Sequence, residues 1–296
     1  MSPLRVLIIG QQNNFGRVLA ANIQQWGHEA VALPSAMMDD VDEVGGRSGD
    51  IVLCDLDEPF YQGLAASFPG GGMTADMQHY LAISEVAQYW DEWCERWLRN
   101  RFSIVMSSRS ISRSMLEAMG AVAFLLKPFE IGRLQRYLRV LQRLVLPPVA
   151  HEQRIRENRA LQTAGEVPGS RSSLRVLVVD DDVVMVQAIA QCLSLESEFE
   201  ILVAYDGLAA LELCLDWQPH CVVTDLIMPW MNGYQVMRCL AQGTLRIRPA
   251  FIITSALTRL EMPVNRPYMR DMTVQFLNKP FHMRHLIATI KQVCRQ

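Results

Sequence analysis

Short, unbroken apolar runs recur along the chain, each closed by a small or polar residue. Leu4-Arg5-Val6-Leu7-Ile8-Ile9 ends at Gly10, Ile51-Val52-Leu53-Cys54 at Asp55, Ile104-Val105-Met106 at Ser107, and Phe124-Leu125-Leu126 at Lys127. A second set ends at Asp180, Asp225, Thr254 and Lys279. Runs without polar alternation suit strands buried on both faces of a parallel sheet. Between them, apolar residues recur at helical spacing: Val186, Ile189, Ala190 and Leu193, then Leu208, Leu211 and Leu215, then Leu286, Ile290 and Val293. Strand alternating with helix predicts an α/β, doubly wound parallel sheet. In that architecture ligands bind beyond the carboxyl ends of the strands. The residues that close the apolar runs are therefore the candidates for chemistry.

The two sets are copies. At an offset of 170, Leu4-Arg5-Val6-Leu7-Ile8-Ile9 matches Leu174-Arg175-Val176-Leu177-Val178-Val179, and Ile51–Leu56 matches Cys221–Leu226. The same offset pairs Pro59 with Pro229 and Gly63 with Gly233. The third block, Ile104-Val105-Met106-Ser107-Ser108 against Phe251-Ile252-Ile253-Thr254-Ser255, aligns at 147, and Phe124–Phe129 against Phe276–Phe281 at 152. The first copy thus carries an insert, read as a Trp-rich helical segment near 68–100. The expected organisation is one domain over 1–146, a linker over 147–173 and a second domain over 174–296. Pro147-Pro148 stops the preceding helix, 151–161 reads as a short solvated helix, and the Gly, Pro and Ser of 165–173 read as flexible.

Composition narrows the function. The 296 residues suit about two domains. Hydrophobic residues make up 50% and charged residues 20%, with a net charge of −3, so cores can form and no disorder signature appears. No segment is strongly basic, which argues against a nucleic-acid footprint. No apolar run approaches the ~18 residues of a membrane span, and the N-terminal run is too short and wrongly flanked for a secretory signal. The seven scattered cysteines contain no CxxC pair, so neither a disulfide frame nor a zinc site is expected. The expected location is the cytoplasm, with no membrane partner.

The strand ends of the second copy deliver Asp180-Asp181-Asp182, Asp225, Thr254 and Lys279. Carboxylates crowded together repel, and a hard divalent cation relieves this; Mg²⁺ takes one or two carboxylates and leaves room for phosphate oxygens. Thr254 can donate a hydrogen bond and Lys279 a compact charge to a phosphoryl group. Only three residues of the chain are lysine (127, 279 and 291), and two of them stand in matching Lys-Pro-Phe triplets. The plainer reading makes Asp180–Asp182 loop and cap carboxylates and Lys279 a surface residue; coincidence at four strand ends argues against it.

At these residues the chain resembles the receiver domains of two-component response regulators, of the chemotaxis-regulator-like kind. The resemblance rests on Val-Val-Asp-Asp-Asp (178–182), Thr-Asp-Leu-Ile-Met-Pro-Trp-Met-Asn-Gly (224–233), Thr-Ser-Ala (254–256) and Asn-Lys-Pro-Phe (278–281). It covers both copies and implies two five-stranded, flavodoxin-like receiver domains in tandem. It further implies that Asp225 accepts a phosphoryl group from a histidine kinase or phosphotransfer protein. Asp181 would bind Mg²⁺ directly, Asp180 through water, and Ile227 by its backbone carbonyl. Thr254 would engage a phosphoryl oxygen, Lys279 would pair with the group, and Phe276 stands where the family has a rotating aromatic switch.

Two departures stand out. Ile227 and Ala256 occupy positions that in the family influence water access to the phosphoryl group, and neither side chain can hold a water; slow autodephosphorylation is expected. Pro263 and Pro267 fall where a helix is expected and should shorten or break it.

The first copy keeps Asp55, Ser107, Phe124 and Lys127, but Gly10-Gln11-Gln12 replaces the three aspartates. Amides are poor Mg²⁺ ligands, and Asp57 and Glu58 are the carboxylates left to substitute. This copy reads as a degenerate receiver. Gly10 and Gly16 do not complete a GxGxxG dinucleotide loop. In the insert, Trp90, Trp93 and Trp97 share one helical face; packing onto their own domain is favoured over a partner surface. Ile131, Leu134, Leu138, Leu141 and Val145 form a second stripe, explained by core packing and leaving a homodimer open.

The expected function is a phosphorelay response regulator without an output domain, signalling through protein contacts with a downstream target. It is not expected to be an enzyme beyond assisting its own phosphotransfer. Alternatives are a phosphate sink or intermediate, a phosphorylation-independent adaptor, and a haloacid-dehalogenase-like phosphatase. The last expects an aspartate at the position of Ile227.

Overall fold

The computed structural model describes residues 3–10, 14–33, 51–57, 91–111, 113–146, 173–243, 248–256 and 272–295. The chain divides into two compact units, Met1–Gln142 and Arg143–Gln296. Unit one contains β1 (Arg5–Ile9), α1 (Asn14–Gln25), β2 (Glu29–Leu33), β3 (Ile51–Asp55), β4 (Phe102–Ser107), α2 (Arg113–Met119) and β5 (Ala123–Leu126). The helix α3 (Ile131–Val145) follows. Its five strands are all parallel and ordered β2-β1-β3-β4-β5.

Unit two contains β6 (Leu174–Val179), α4 (Val183–Leu193), β7 (Phe199–Ala204), α5 (Gly207–Trp217), β8 (Cys221–Asp225), α6 (Gly233–Gln242), β9 (Ala250–Ser255), β10 (Val274–Asn278) and α7 (Met283–Val293). The parallel sheet runs β7-β6-β8-β9-β10. This is the flavodoxin-like order, in which the chain reverses direction across the sheet beside its first strand and opens a crevice there.

Burial follows the sequence pattern. The central strands β3, β4, β8 and β9 are buried at every residue, as unbroken apolar runs require. The edge strand β10 mixes Gln275 and Asn278 into its exposed positions, which blunts an edge that could pair with another chain. The helical stripes meet the sheet as expected: Val186, Ile189, Leu193, Leu286, Ile290 and Val293 close one core with Val176, Val178, Val223 and Ile252.

Local signals fix the helix starts that face the site. Asp182 caps α4, accepting from the N–H groups of Val184 and Met185. Asn232 and Gln235 form a reciprocal capping box at α6, with bonds of 2.8 and 3.0 Å. At Gly233 a Cβ would lie 2.7 Å from Thr224 Cγ2 and 2.9 Å from the carbonyl oxygen of Asp225, so only glycine lets α6 start this close to the end of β8.

In unit one, residues 91–94 are helical and run into a π-helical turn, Glu95–Arg99. Trp93 and Trp97 are 5% and 4% exposed and join the core with Leu7, Val52, Cys54 and Val105. These two tryptophans therefore pack onto their own unit. Trp90, the rest of the insert, Pro263, Pro267 and residues 147–172 lie outside the described residues. On α3, Leu134, Leu138 and Leu141 are buried, while Ile131 is exposed. All seven cysteines are free. Among the described residues no helix is long and apolar enough to cross a membrane.

Candidate functional site

In unit two the ends of β6, β8, β9 and β10 converge. Asp180 follows β6 and is buried at 4% exposure, whereas Asp181 is exposed. Asp225 ends β8 and pairs in register with Thr254 on β9. One carboxylate oxygen each from Asp180, Asp181 and Asp225 lie within 4.8 Å of one another. Lys279, just past β10, reaches Asp180 Oδ2 at 2.8 Å and Asp225 Oδ1 at 3.1 Å. The plainer expectation holds for Asp182, whose carboxylate is spent on capping α4. It fails for Lys279, which is half-buried and paired, while Asp180 combines a loop bond with its pair to Lys279.

Each side chain is held by local structure. Asp180 Oδ1 accepts from the N–H of Asp182 at 3.0 Å, leaving Oδ2 for the lysine. The Thr254 hydroxyl is buried and donates to the carbonyl of Thr224 at 3.3 Å. Ile227 is 52% exposed and Ala256 is also exposed, so neither side chain belongs to the core. Phe276 is half-buried on β10, in register with Ile253.

The charges are unbalanced. Burial pushes the Asp225 carboxyl above its ordinary value; Lys279 pulls it back, Asp180 adds to the rise, and the upward direction wins. Burial alone would lower the Lys279 ammonium, but bonds to Asp180 and Asp225 outweigh it and raise it. The Lys279 ammonium thus pairs with two of the three clustered carboxylates, the buried Asp180 and Asp225. Hard oxygen donors with residual negative charge fit Mg²⁺, so Asp180, Asp181 and Asp225 suit that ion by both chemistry and spacing.

In unit one Lys127 Nζ lies 2.6 Å from Asp55 Oδ1, repeating the contact of Lys279 with Asp225. Gly10 replaces Asp180, and a Cβ there would come within 2.9 Å of Asp55 Cβ, so the close approach excludes any side chain. Gln11 lies outside the described residues. Asp57, considered as a substitute metal ligand, turns elsewhere. Its carboxylate accepts from Ser107 Oγ at 2.8 Å and from the N–H of Ser108 at 2.6 Å, and it pairs with Lys127 at 3.1 Å. Sequence reasoning missed this role, because the placement of the Ser107-Ser108 doublet opposite Asp57 is set by the turns after β3 and β4.

Residues 176–291 match the family model described as the response regulator receiver domain. The response regulator MprA of Mycobacterium tuberculosis is 30% identical over 124 residues, covering 42% of this chain and 52% of that protein. The transcriptional regulatory protein CpxR of Escherichia coli is 30% identical over 122 residues, covering 41% of this chain and 50% of that protein. The chain thus spans about half the length of these curated relatives. A solved signal receiver domain from Bermanella marisrubri is 28% identical, covering 41% of this chain and 98% of its own, with a TM-score of 0.37. With the sheet order and the acidic strand ends already described, the matched span identifies residues 176–291 as a response regulator receiver domain.

Proposed function

We propose that the protein is a phosphorelay response regulator that takes a phosphoryl group on Asp225 and signals through protein–protein contacts. The observation that carries this reading is the meeting of Asp225 with Asp180, Asp181 and Lys279 at one set of strand ends. In the transfer, an Asp225 oxygen attacks the phosphorus of a phosphohistidine on a histidine kinase or phosphotransfer protein. The phosphorus–nitrogen bond breaks, the imidazole takes up a proton, and an acyl phosphate forms.

Phosphoryl transfer needs mainly positioning and charge neutralisation. Asp180, Asp181, Asp225 and the backbone carbonyl of Ile227 would hold Mg²⁺, which supplies positive charge against the transferring oxygens. Lys279 leaves its bond to Asp225 and follows the new negative charge. The Thr254 hydroxyl exchanges the Thr224 carbonyl for a phosphoryl oxygen, and Phe276 adjusts beside β9. Unit one, with Asp55, Ser107 and Lys127 but Gly10 in place of Asp180, serves as a degenerate receiver. The protein works in the cytoplasm and turns over no separate substrate.

The test is intact mass after incubation with acetyl phosphate, with and without Mg²⁺, on the wild type, Asp225→Ala and Asp55→Ala. One Mg²⁺-dependent phosphoryl adduct, absent only in Asp225→Ala, is the expected result. Two adducts would make unit one an acceptor as well. An adduct that survives Asp225→Ala would remove the assignment of Asp225.

A further inference from the structure

The Asp57 carboxylate of unit one accepts bonds from both serines at the end of β4. Its Oδ1 accepts from Ser107 Oγ at 2.8 Å and from the Ser108 N–H at 2.6 Å. Its Oδ2 lies 2.7 Å from the same N–H, accepts from the Ser108 hydroxyl and pairs with Lys127 Nζ at 3.1 Å. A hydroxyl at the end of β4, a backbone N–H beside it and an ammonium after β5 thus converge on one anion. Charge-assisted bonds of this kind are the strong ones, and the donor set suits any compact oxyanion.

The internal repeat gives this arrangement meaning. Ser107, Ser108 and Lys127 correspond to Thr254, Ser255 and Lys279, and Asp57 corresponds to Ile227. In unit two the Ile227 side chain is 52% exposed and supplies no acceptor. There the Thr254 hydroxyl bonds a backbone carbonyl, and Lys279 bonds Asp180 and Asp225. In unit one the same donors are taken by a carboxylate two residues beyond Asp55, whose own Oδ1 receives the N–H of Asp57 at 3.1 Å and Lys127 at 2.6 Å. A second anion entering this space would meet a fixed negative charge and find its donors engaged.

We propose that Asp57 is a built-in ligand, its carboxylate filling an oxyanion site formed by Ser107, Ser108 and Lys127 and so closing unit one to phosphate or a phosphoryl group. The site keeps its donors but holds its own anion. The Asp57 carboxyl stays ionised at neutral pH: burial pushes it up, and the bonds from Ser108, Ser107 and Lys127 outweigh burial and bring it below the ordinary value. None of this depends on phosphotransfer at Asp225, and a failure there leaves it standing.

The test follows the Ser108 amide by NMR in the full-length, isotope-labelled chain during titration with inorganic phosphate, at ionic strength held constant with chloride. In the wild type the resonance should stay unmoved. In Asp57→Ala it should shift saturably, with a dissociation constant at least about tenfold lower than any wild-type response. Asp57→Ala combined with Lys127→Ala should abolish the shift. A wild-type response as tight as that of the variant would overturn the proposal, as would a folded Asp57→Ala that binds phosphate no better than wild type. If Asp57→Ala does not fold, hydrogen exchange of the wild-type Ser108 amide decides. Strong protection supports the bond to Asp57, and exchange at the rate of an open loop amide overturns it.

Discussion

Lys279 Nζ sits 2.8 Å from Asp180 Oδ2, although the two residues are 99 apart in sequence and leave the sheet on opposite sides of β8. The contact spans the carboxyl edge of the sheet and holds the ammonium 3.1 Å from Asp225 as well. Its side chain is 22% exposed, against 5% and 13% for the two aspartates, so the cation is mostly withdrawn from water along with its partners.

Removing that cation should therefore be costly. Lys279→Ala leaves two buried carboxylates facing each other without a counter-charge. Breaking a buried pair from one side typically costs about 3–5 kcal/mol, and the partial exposure of Lys279 places the expected loss near the lower end. Urea denaturation in the absence of Mg²⁺ measures it. Adding Mg²⁺ should restore part of the stability, because a divalent ion at the carboxylates replaces the missing charge. A variant as stable as wild type would mean that the pair is energetically idle.

Asp225 gives a pH dependence of defined sign. Its folded carboxyl lies above the ordinary value of 3.8 because of burial. Below 3.8 it is protonated in both the folded and unfolded states and costs nothing. As pH rises through the interval between 3.8 and the raised folded value, the unfolded chain ionises first, and stability is lost. Above that interval the full cost remains. Asp225→Asn removes the titration, so without Mg²⁺ the variant should be more stable than wild type at neutral pH, and the advantage should vanish towards acid. The thermal midpoint of the variant should exceed that of wild type at neutral pH and converge on it at acid pH. The same substitution should reduce the midpoint increase that Mg²⁺ gives the wild type.

The legible part of the fold was its centre. Runs such as Cys221–Asp225 and Ala250–Ser255 are buried throughout, so apolar composition alone marks them, and the polar residue closing each run falls at the sheet's carboxyl edge. The flanking strands β2 and β7 were harder to place. Phe199–Ala204 alternates buried and exposed positions, and an edge strand with one wet face carries less signal in its composition. In the site, Asp180, Asp225 and Lys279 could be read because a repeat aligned them with strand ends. The orientation of Asp57 could not. Whether a loop carboxylate turns to a metal or to a serine doublet depends on backbone N–H directions after β3 and β4, which side-chain types do not encode.

Trp97 separates core packing from an interface. The residue is 4% exposed within the unit-one core, with Arg101 5.2 Å and Arg96 5.6 Å from its ring centroid. Trp97→Ala should cost unit one about 3–5 kcal/mol, the range for deleting a large aromatic from a core. Chemical denaturation followed by far-UV circular dichroism reads the loss. A partner-surface role would instead leave stability unchanged and alter only the association state.

The lifetime of phosphorylated Asp225 follows from what stands beside it. Hydrolysis of an acyl phosphate needs a water aligned with the phosphorus, and a polar side chain near the acceptor can hold one. Ile227, 52% exposed, and the exposed Ala256 offer no hydrogen-bonding group at the two positions that the family resemblance marks for this task. The phosphorylated protein should then persist well beyond seconds once the phosphodonor is removed. Ile227→Asn should shorten that lifetime by up to about tenfold, short of the ~10²-fold or more of full general-base catalysis, because an amide orients water but takes no proton from it. Loss of the phosphoryl adduct, timed by intact mass after desalting, measures both lifetimes. A wild-type half-life of a few seconds would show that water reaches the acceptor without help from either position.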